Sequence, residues 1–253
     1  MSKQTVIIYE QALNEQARVC LKAEQFLQRI DDMLRFDSPW ACENLARAVV
    51  DLTILFDRTD IKAKISKQLR ELSDTLTQHL LSPYCDKAQT EELLQHLKNY
   101  QQFALNIEGR FVDSLRDDPF IKTIKQCLQQ PSGPCSHEAP ALHRWIAQPY
   151  EERYKIIAHW LKQLNPIRAI VTVILHILRE SAVFETKSSH AGHYSQNLKA
   201  TKDCQLVRVK LLRDSLVFPE ISAGRQHLNI RFITINDNKP SHENTGFELS
   251  LCH

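Results

Sequence analysis

Apolar residues recur at three- and four-residue spacing through most of the chain, and the period changes to two toward the C-terminus. Ala17, Leu21, Phe26, Leu27, Ile30 and Leu34 make the first helical stripe, with Asn14 as its N-cap and Glu15, Arg18, Lys22 and Arg29 on other faces. Asp37-Ser38-Pro39 is a second start signal, because proline is tolerated in a helix's first turn. The helix it opens continues, largely buried, over Leu45 to Phe56. Ile61, Ile65, Leu69, Leu72, Leu76 and Leu80 form a third stripe that stops near Ser82-Pro83. Leu93, Leu94, Leu97 and Phe103 carry a fourth helix toward Gly109.

Beyond Gly109 the predicted elements shorten. Asp118-Pro119 starts a helix with Ile121, Ile124, Cys127 and Leu128 on one side, and Gln130 to Cys135 reads as a loop by its turn chemistry. Pro140 begins a short helix bearing His143 and Trp145. Tyr154 to Leu164 and Asn165-Pro166 to Leu178 read as two helices, the second apolar all round and so central to the core. Leu206 to Leu212, Leu228 to Ile235 and Phe247 to Leu251 alternate as strands, with turns expected at Pro219, Gly224 and Asn236 to Pro240. Val6-Ile7-Ile8-Tyr9 is a further β-type run that needs a partner, for which the C-terminal sheet is the expectation. The predicted architecture is α+β: a mainly helical domain over 11–183 and an antiparallel β-sandwich-like domain over 184–253, completed by an N-terminal strand at 5–10.

Composition removes several function classes. The 253 residues include five scattered glycines, too few and too far apart for a phosphate-cradling loop. Thirty-two basic against thirty acidic residues leave a formal charge of +2, far from a nucleic-acid-scale excess, so no nucleic-acid partner is expected. No apolar run reaches the roughly 18 residues of a membrane span, and the N-terminus is too short and too acidic for a signal peptide. The expectation is therefore a cytoplasmic protein without direct membrane insertion. Seven cysteines, an odd number in a chain too large to need stapling, read as reduced thiols.

Candidate chemistry is sparse. His190 and His193 have HxxH spacing but no further ligands nearby in sequence, and Cys135 and His137 are too close in sequence for a catalytic pair. Asp31-Asp32, Asp117-Asp118 and Glu151-Glu152 read as helix-start or solvated carboxylates. No enzyme, cofactor or metal reading rises above this background. The first sixty residues hold seven basic and ten acidic side chains, so any basic site must be assembled by folding from residues far apart in sequence.

The order of motifs carries a resemblance. Tyr9-Glu10-x-x-Leu13-Asn14-Glu15-x-x-Arg18-x-x-Leu21-Lys22-x-Glu24 resembles the opening of the ZapD family of bacterial Z-ring-associated cell-division proteins. Gly133-x-Cys135-Ser136-x-x-x-Pro140-x-Leu142-His143-x-Trp145 is similar to the same family, as are Leu164-Asn165-Pro166, Ile177 to Ala182 and Gly192-x-Tyr194. Pro219-Glu220-Ile221-Ser222, Ile230-Arg231-Phe232 and Phe247-Glu248-Leu249 match its C-terminal portion. Each motif is weak alone; their colinearity over nearly the whole chain is specific.

The resemblance implies a non-enzymatic protein, without cofactor, that binds the C-terminal tail of the tubulin-like GTPase FtsZ. As a homodimer joined through its helical domain, it would crosslink and bundle FtsZ filaments and be recruited to the midcell division ring. It also implies a tail-binding set of basic side chains near the junction of the two domains. The matching positions are Arg18, His143 and Arg231, with Lys22 and His227 where the family more often has arginine, Arg225 as a substitute cation, and Arg116 in register. Trp145 or an apolar neighbour would form the floor of that pocket. On the residues alone, Arg18 and Lys22 read equally as helix-surface charge and Arg231 as a cross-strand partner. A generic helical scaffold for another acidic peptide or RNA is the alternative.

Overall fold

The computed structural model describes residues 6–83, 86–128, 139–198, 204–224 and 226–253. Among them are eight helices and seven strands: β1 (Val6–Ala12), α1 (Glu15–Met33), α2 (Pro39–Phe56), α3 (Ile61–His79), α4 (Lys87–Asn106), α5 (Asp113–Asp117), α6 (Pro119–Leu128), α7 (Pro140–Ile146), α8 (Tyr150–Glu180), β2 (Glu185–Ser188), β3 (His193–Asn197), β4 (Leu206–Leu212), β5 (Val217–Ala223), β6 (His227–Thr234) and β7 (Gly246–Cys252). This is the α+β arrangement expected from the change of period. The chain divides into a helical unit, Val19–Ile174, and a β unit made of Met1–Arg18 with Leu175–His253.

In the helical unit the start signals act as local chemistry requires. Ser38 Oγ accepts from Ala41 N at 3.1 Å and caps α2, and Asp86 accepts from Gln89 N at 3.2 Å and caps α4. The buried residues of α2, among them Leu45, Ala46, Val49 and Leu52, form one wall of the core. Helices α3 and α4 pair as a hairpin, with Gln101 Nε2 donating to Leu69 O at 2.9 Å. Arg168 grips Asp31 with two hydrogen bonds of 2.6 and 2.9 Å, tying α8 to α1.

Pro166 corrects the sequence reading. The two expected helices are one, Tyr150–Glu180, with the proline inside it. Proline removes one backbone donor and crowds the preceding turn, at a cost of about 3 kcal/mol. Leu164, Ile167, Ile170, Val171, Ile174 and Leu178 are all buried, and that apolar burial holds the helix continuous through the defect. By length and composition α8 could cross a bilayer, yet half of its apolar window is buried in protein, as in the core helix of a folded domain.

The β unit is two antiparallel sheets, ordered β1-β4-β7-β2 and β3-β6-β5. β1 pairs with β4 from Val6↔Leu212 to Ala12↔Leu206, so the ends of the sequence meet in one sheet. Val207, Val209, Leu211, Phe247 and Leu249 from the first sheet pack with Leu228, Ile230 and Phe232 from the second to form the core between them. A second correction falls at Pro219, expected in a turn but placed inside β5, opposite Phe232. β5 is an edge strand, where a residue without an N–H need break no ladder on its open side. Gly192 has φ +71°, and a Cβ there would lie 2.0 Å from Ser241 O, so this tight turn requires glycine.

Candidate functional site

The basic residues singled out from sequence are spread over both units. Arg18 follows the start of α1, which is fixed twice: Asn14 Oδ1 accepts from Ala17 N at 2.7 Å, and Asn14 Nδ2 donates to Gln205 Oε1 at 2.9 Å. Ala17, Cys20, Ala23, Leu27 and Ile30 bury one stripe of α1, which leaves Arg18 and Lys22 exposed on the opposite side, four residues apart. Arg18 makes a 2.8 Å ion pair with Glu15 whose two side chains are partly exposed, a weak pair that a stronger ligand can displace.

Arg231 lies on β6 between two buried neighbours, Ile230 and Phe232, and is itself exposed. Its register partners are His193 on β3 and Glu220 on β5, so the three side chains form one row across the outer face of the sheet. His227 starts β6 opposite Asn197 and is also exposed. Arg225 and Cys135 lie outside the described residues. The row is what sequence reading missed: period-two alternation places each residue on a face but says nothing of which strands are neighbours.

In the helical unit His143 is exposed on the seven-residue α7. Arg116 is committed elsewhere. It faces Asp113 at 2.9 Å, Asp117 at 3.1 Å and Asp57 at 3.7 Å. The Arg116 hydrogen bond, followed by that of Lys122, holds the Asp117 carboxyl below its ordinary range. Trp145 is not a surface floor. It is buried against Phe120 and Trp160, with centroids 5.5 and 5.7 Å away. His190 and His193 exchange backbone hydrogen bonds of 2.8 and 2.9 Å and close a tight turn. Among the described residues no group of three or more His, Cys, Asp or Glu side chains is arranged to hold a metal.

The arrangement is a set of exposed cations on a folded scaffold, suited to binding an anionic partner. A model of the ZapD cell division protein family matches residues 21–231. The chain belongs to the ZapD family. A cell division protein ZapD of Coxiella burnetii is 33% identical over 98% of both chains. One from Escherichia coli O139:H28 is 30% identical over 98% of this chain and all of the relative, and the Shigella flexneri protein stands at the same values. The ZapD relatives are named as cell division proteins, which gives this chain a role in division and accords with a non-enzymatic one.

Proposed function

We propose that this protein binds the C-terminal tail of FtsZ and, as a homodimer, crosslinks and bundles FtsZ filaments at the division ring. The observation that carries the reading is the pair of exposed cations Arg18 and Arg231 in a ZapD-family chain. Arg231 has no ion pair among the described residues, and Arg18 pairs with Glu15 one helical turn away, a contact partly open to solvent. Lys22 and His143, both exposed, are further candidates; Arg116 is a weaker one because three carboxylates already face it. Arg225 remains a candidate on sequence alone.

A short acidic tail offers carboxylates that scattered guanidinium groups bind well. Ordering a flexible tail costs entropy, which keeps single-site affinity modest. A dimer removes that weakness on a polymer, because the second tail binds at high effective concentration. The exposed Phe36 and Trp40, which flank the start of α2, supply apolar surface of the kind dimers bury. Co-sedimentation with FtsZ, with and without its tail, tests the reading. Pelleting and bundling should require the tail, and bundling that persists after tail deletion would refute it.

A further inference from the structure

A cleft of about 680 Å3 opens at one end of the β unit. That size falls inside the range of about 300–1,000 Å3 typical of ligand pockets. Its floor is apolar: Leu249 and Leu251 belong to the inner face of β7, opposite Val209 and Val207 of β4, and Leu198 adds to it from just past β3. The gap stays open because two serine hydroxyls, and no strand ladder, hold the chain between α8 and β2 beside the end of β7. Ser250 Oγ donates to Ala182 O at 3.1 Å, and Ser181 Oγ accepts from His253 N at 3.0 Å. β2 itself pairs with β7 only from Gly246 to Leu249. Val183, on the lining, is 81% exposed, so the cleft has an open apolar lip over which a peptide chain can enter and leave.

The charge on the lining is acidic in balance, with Glu180 and Glu185 against Lys187. Lys187 and Glu185 pair at 2.8 Å, and that hydrogen bond, followed by the lysine's charge, holds the Glu185 carboxyl below its ordinary range. The two charges cancel. Glu180 is left over, with no ion pair among the described residues. It is the last residue of α8, where the helix end already carries a partial negative charge, so its carboxylate adds to a field that favours a cation. Arg179, the basic residue of that last turn, is committed to Glu10 by hydrogen bonds of 2.9 and 2.6 Å. Polar lining comes from Gln196 and Asn197; Tyr194 OH donates to Gln196 Oε1 at 2.6 Å, which leaves the Gln196 amide NH2 as a donor for a main-chain carbonyl. An apolar floor beside an uncompensated carboxylate is complementary to a peptide that pairs an aliphatic side chain with a cation. An acidic peptide would meet Glu180 as repulsion.

We infer that this cleft docks a basic segment of a partner protein, in which a branched aliphatic side chain fills the floor while a neighbouring lysine or arginine meets Glu180. Its charge preference is opposite to that of Arg18 and Arg231. It therefore goes beyond the binding of an acidic tail, and gives this division protein a second docking surface that stands or falls independently of the first.

The test uses the whole chain and three labelled synthetic peptides of equal length. The first sets lysines beside isoleucine and leucine, the second replaces its lysines by glutamates, and the third replaces its isoleucine and leucine by serines. Anisotropy titrations are made with the wild-type protein, Glu180→Lys and Val183→Ser; both positions are exposed, and thermal melts check that the variants fold. The wild type should bind the first peptide about tenfold more tightly than the third, the worth of burying one aliphatic side chain. It should prefer the first to the second by about fivefold, the worth of one exposed charge pair. Glu180→Lys should abolish that second preference, and Val183→Ser should weaken the first peptide about threefold while leaving the third unchanged. Methyl NMR signals of Leu198, Leu249 and Leu251 in the wild type should move on adding the first peptide. Equal binding of the lysine and glutamate peptides, or methyl signals that stay still, would overturn the inference. Methyl signals that move with protein concentration alone would overturn it in favour of a second copy. Each of these outcomes leaves the FtsZ-tail reading to its own co-sedimentation test.

Discussion

Glu10 receives both Nε and Nη2 of Arg179, at 2.9 and 2.6 Å, so the first strand is clamped to the end of α8. Arg208 Nε reaches the same Glu10 oxygen at 2.9 Å, and the Arg208 guanidinium lies 5.0 Å from the Phe184 ring centroid. One carboxylate thus serves two guanidinium groups, all three side chains being largely shielded from water. Glu10→Gln leaves two cations facing each other with one neutral acceptor. The substitution should lower the unfolding free energy by about 3 kcal/mol, toward the lower end for breaking a buried pair. Urea denaturation measures it, and a loss under about 0.5 kcal/mol would make the cluster no better than a surface pair.

Arg18→Glu and Arg231→Glu should each reduce tail affinity at least about tenfold, since each removes a charged hydrogen bond and adds repulsion. Their dimers should remain intact by light scattering. Arg116→Ala should behave differently, lowering the thermal midpoint while changing tail affinity less than Arg18→Glu does. Raising salt from 50 to 500 mM should weaken the wild-type contact, because exposed charges are screened. An affinity indifferent to salt would overturn the charge-driven reading of the contact.

Trp145 tests packing against recognition. Trp145→Ala empties a site walled by Phe120 and Trp160 and should cost about 3–5 kcal/mol of stability. Trp145→Phe keeps an aromatic ring in the cluster and should bind the tail as the wild type does. If Trp145→Phe instead lost binding at unchanged stability, the indole would be touching the ligand.

Asp51 gives a pH prediction. Burial raises its carboxyl pKa, opposed by the charges of Arg29 and Arg47. A carboxyl whose folded pKa is raised holds its proton longer folded than unfolded, so it disfavours folding once pH passes the unfolded value. Asp51→Asn should therefore raise the thermal midpoint at pH 7 and give no advantage below the ordinary carboxylate range. Thermal melts at pH 7 and pH 3 decide this. A variant less stable at pH 7 would show that Arg29 and Arg47 outweigh the burial.

Much of the fold is legible in the sequence where the signal is local. Asn14 and Ser38 announce α1 and α2 because a capping oxygen acts on a backbone N–H three residues away. β2 and β3 are not legible: ETKS and HYSQN are short and polar, and each is a strand only because β7 and β6 pair with it. The proline errors share that cause. Pro166 and Pro219 break the rules for an average helix or strand, and the distant neighbours that make them tolerable leave no trace beside them. For the candidate site, Arg18, Lys22, His143 and Arg231 were found by resemblance and are exposed side chains. The row of His193, Arg231 and Glu220 was not legible, since β3, β6 and β5 are set side by side by pairing between distant segments and no spacing joins them.

By itself the sequence determined the helical stripes, their caps, the alternating strands and, through colinear motifs, membership of the ZapD family. These depend on contacts within a turn or two of chain, or on the order of residues alone. Tertiary structure decided which side chains are available. It buried Trp145, surrounded Arg116 with carboxylates and left Arg231 exposed between strands. Burial and charge pairing are properties of neighbours brought together from far along the chain, so only the folded arrangement sets them.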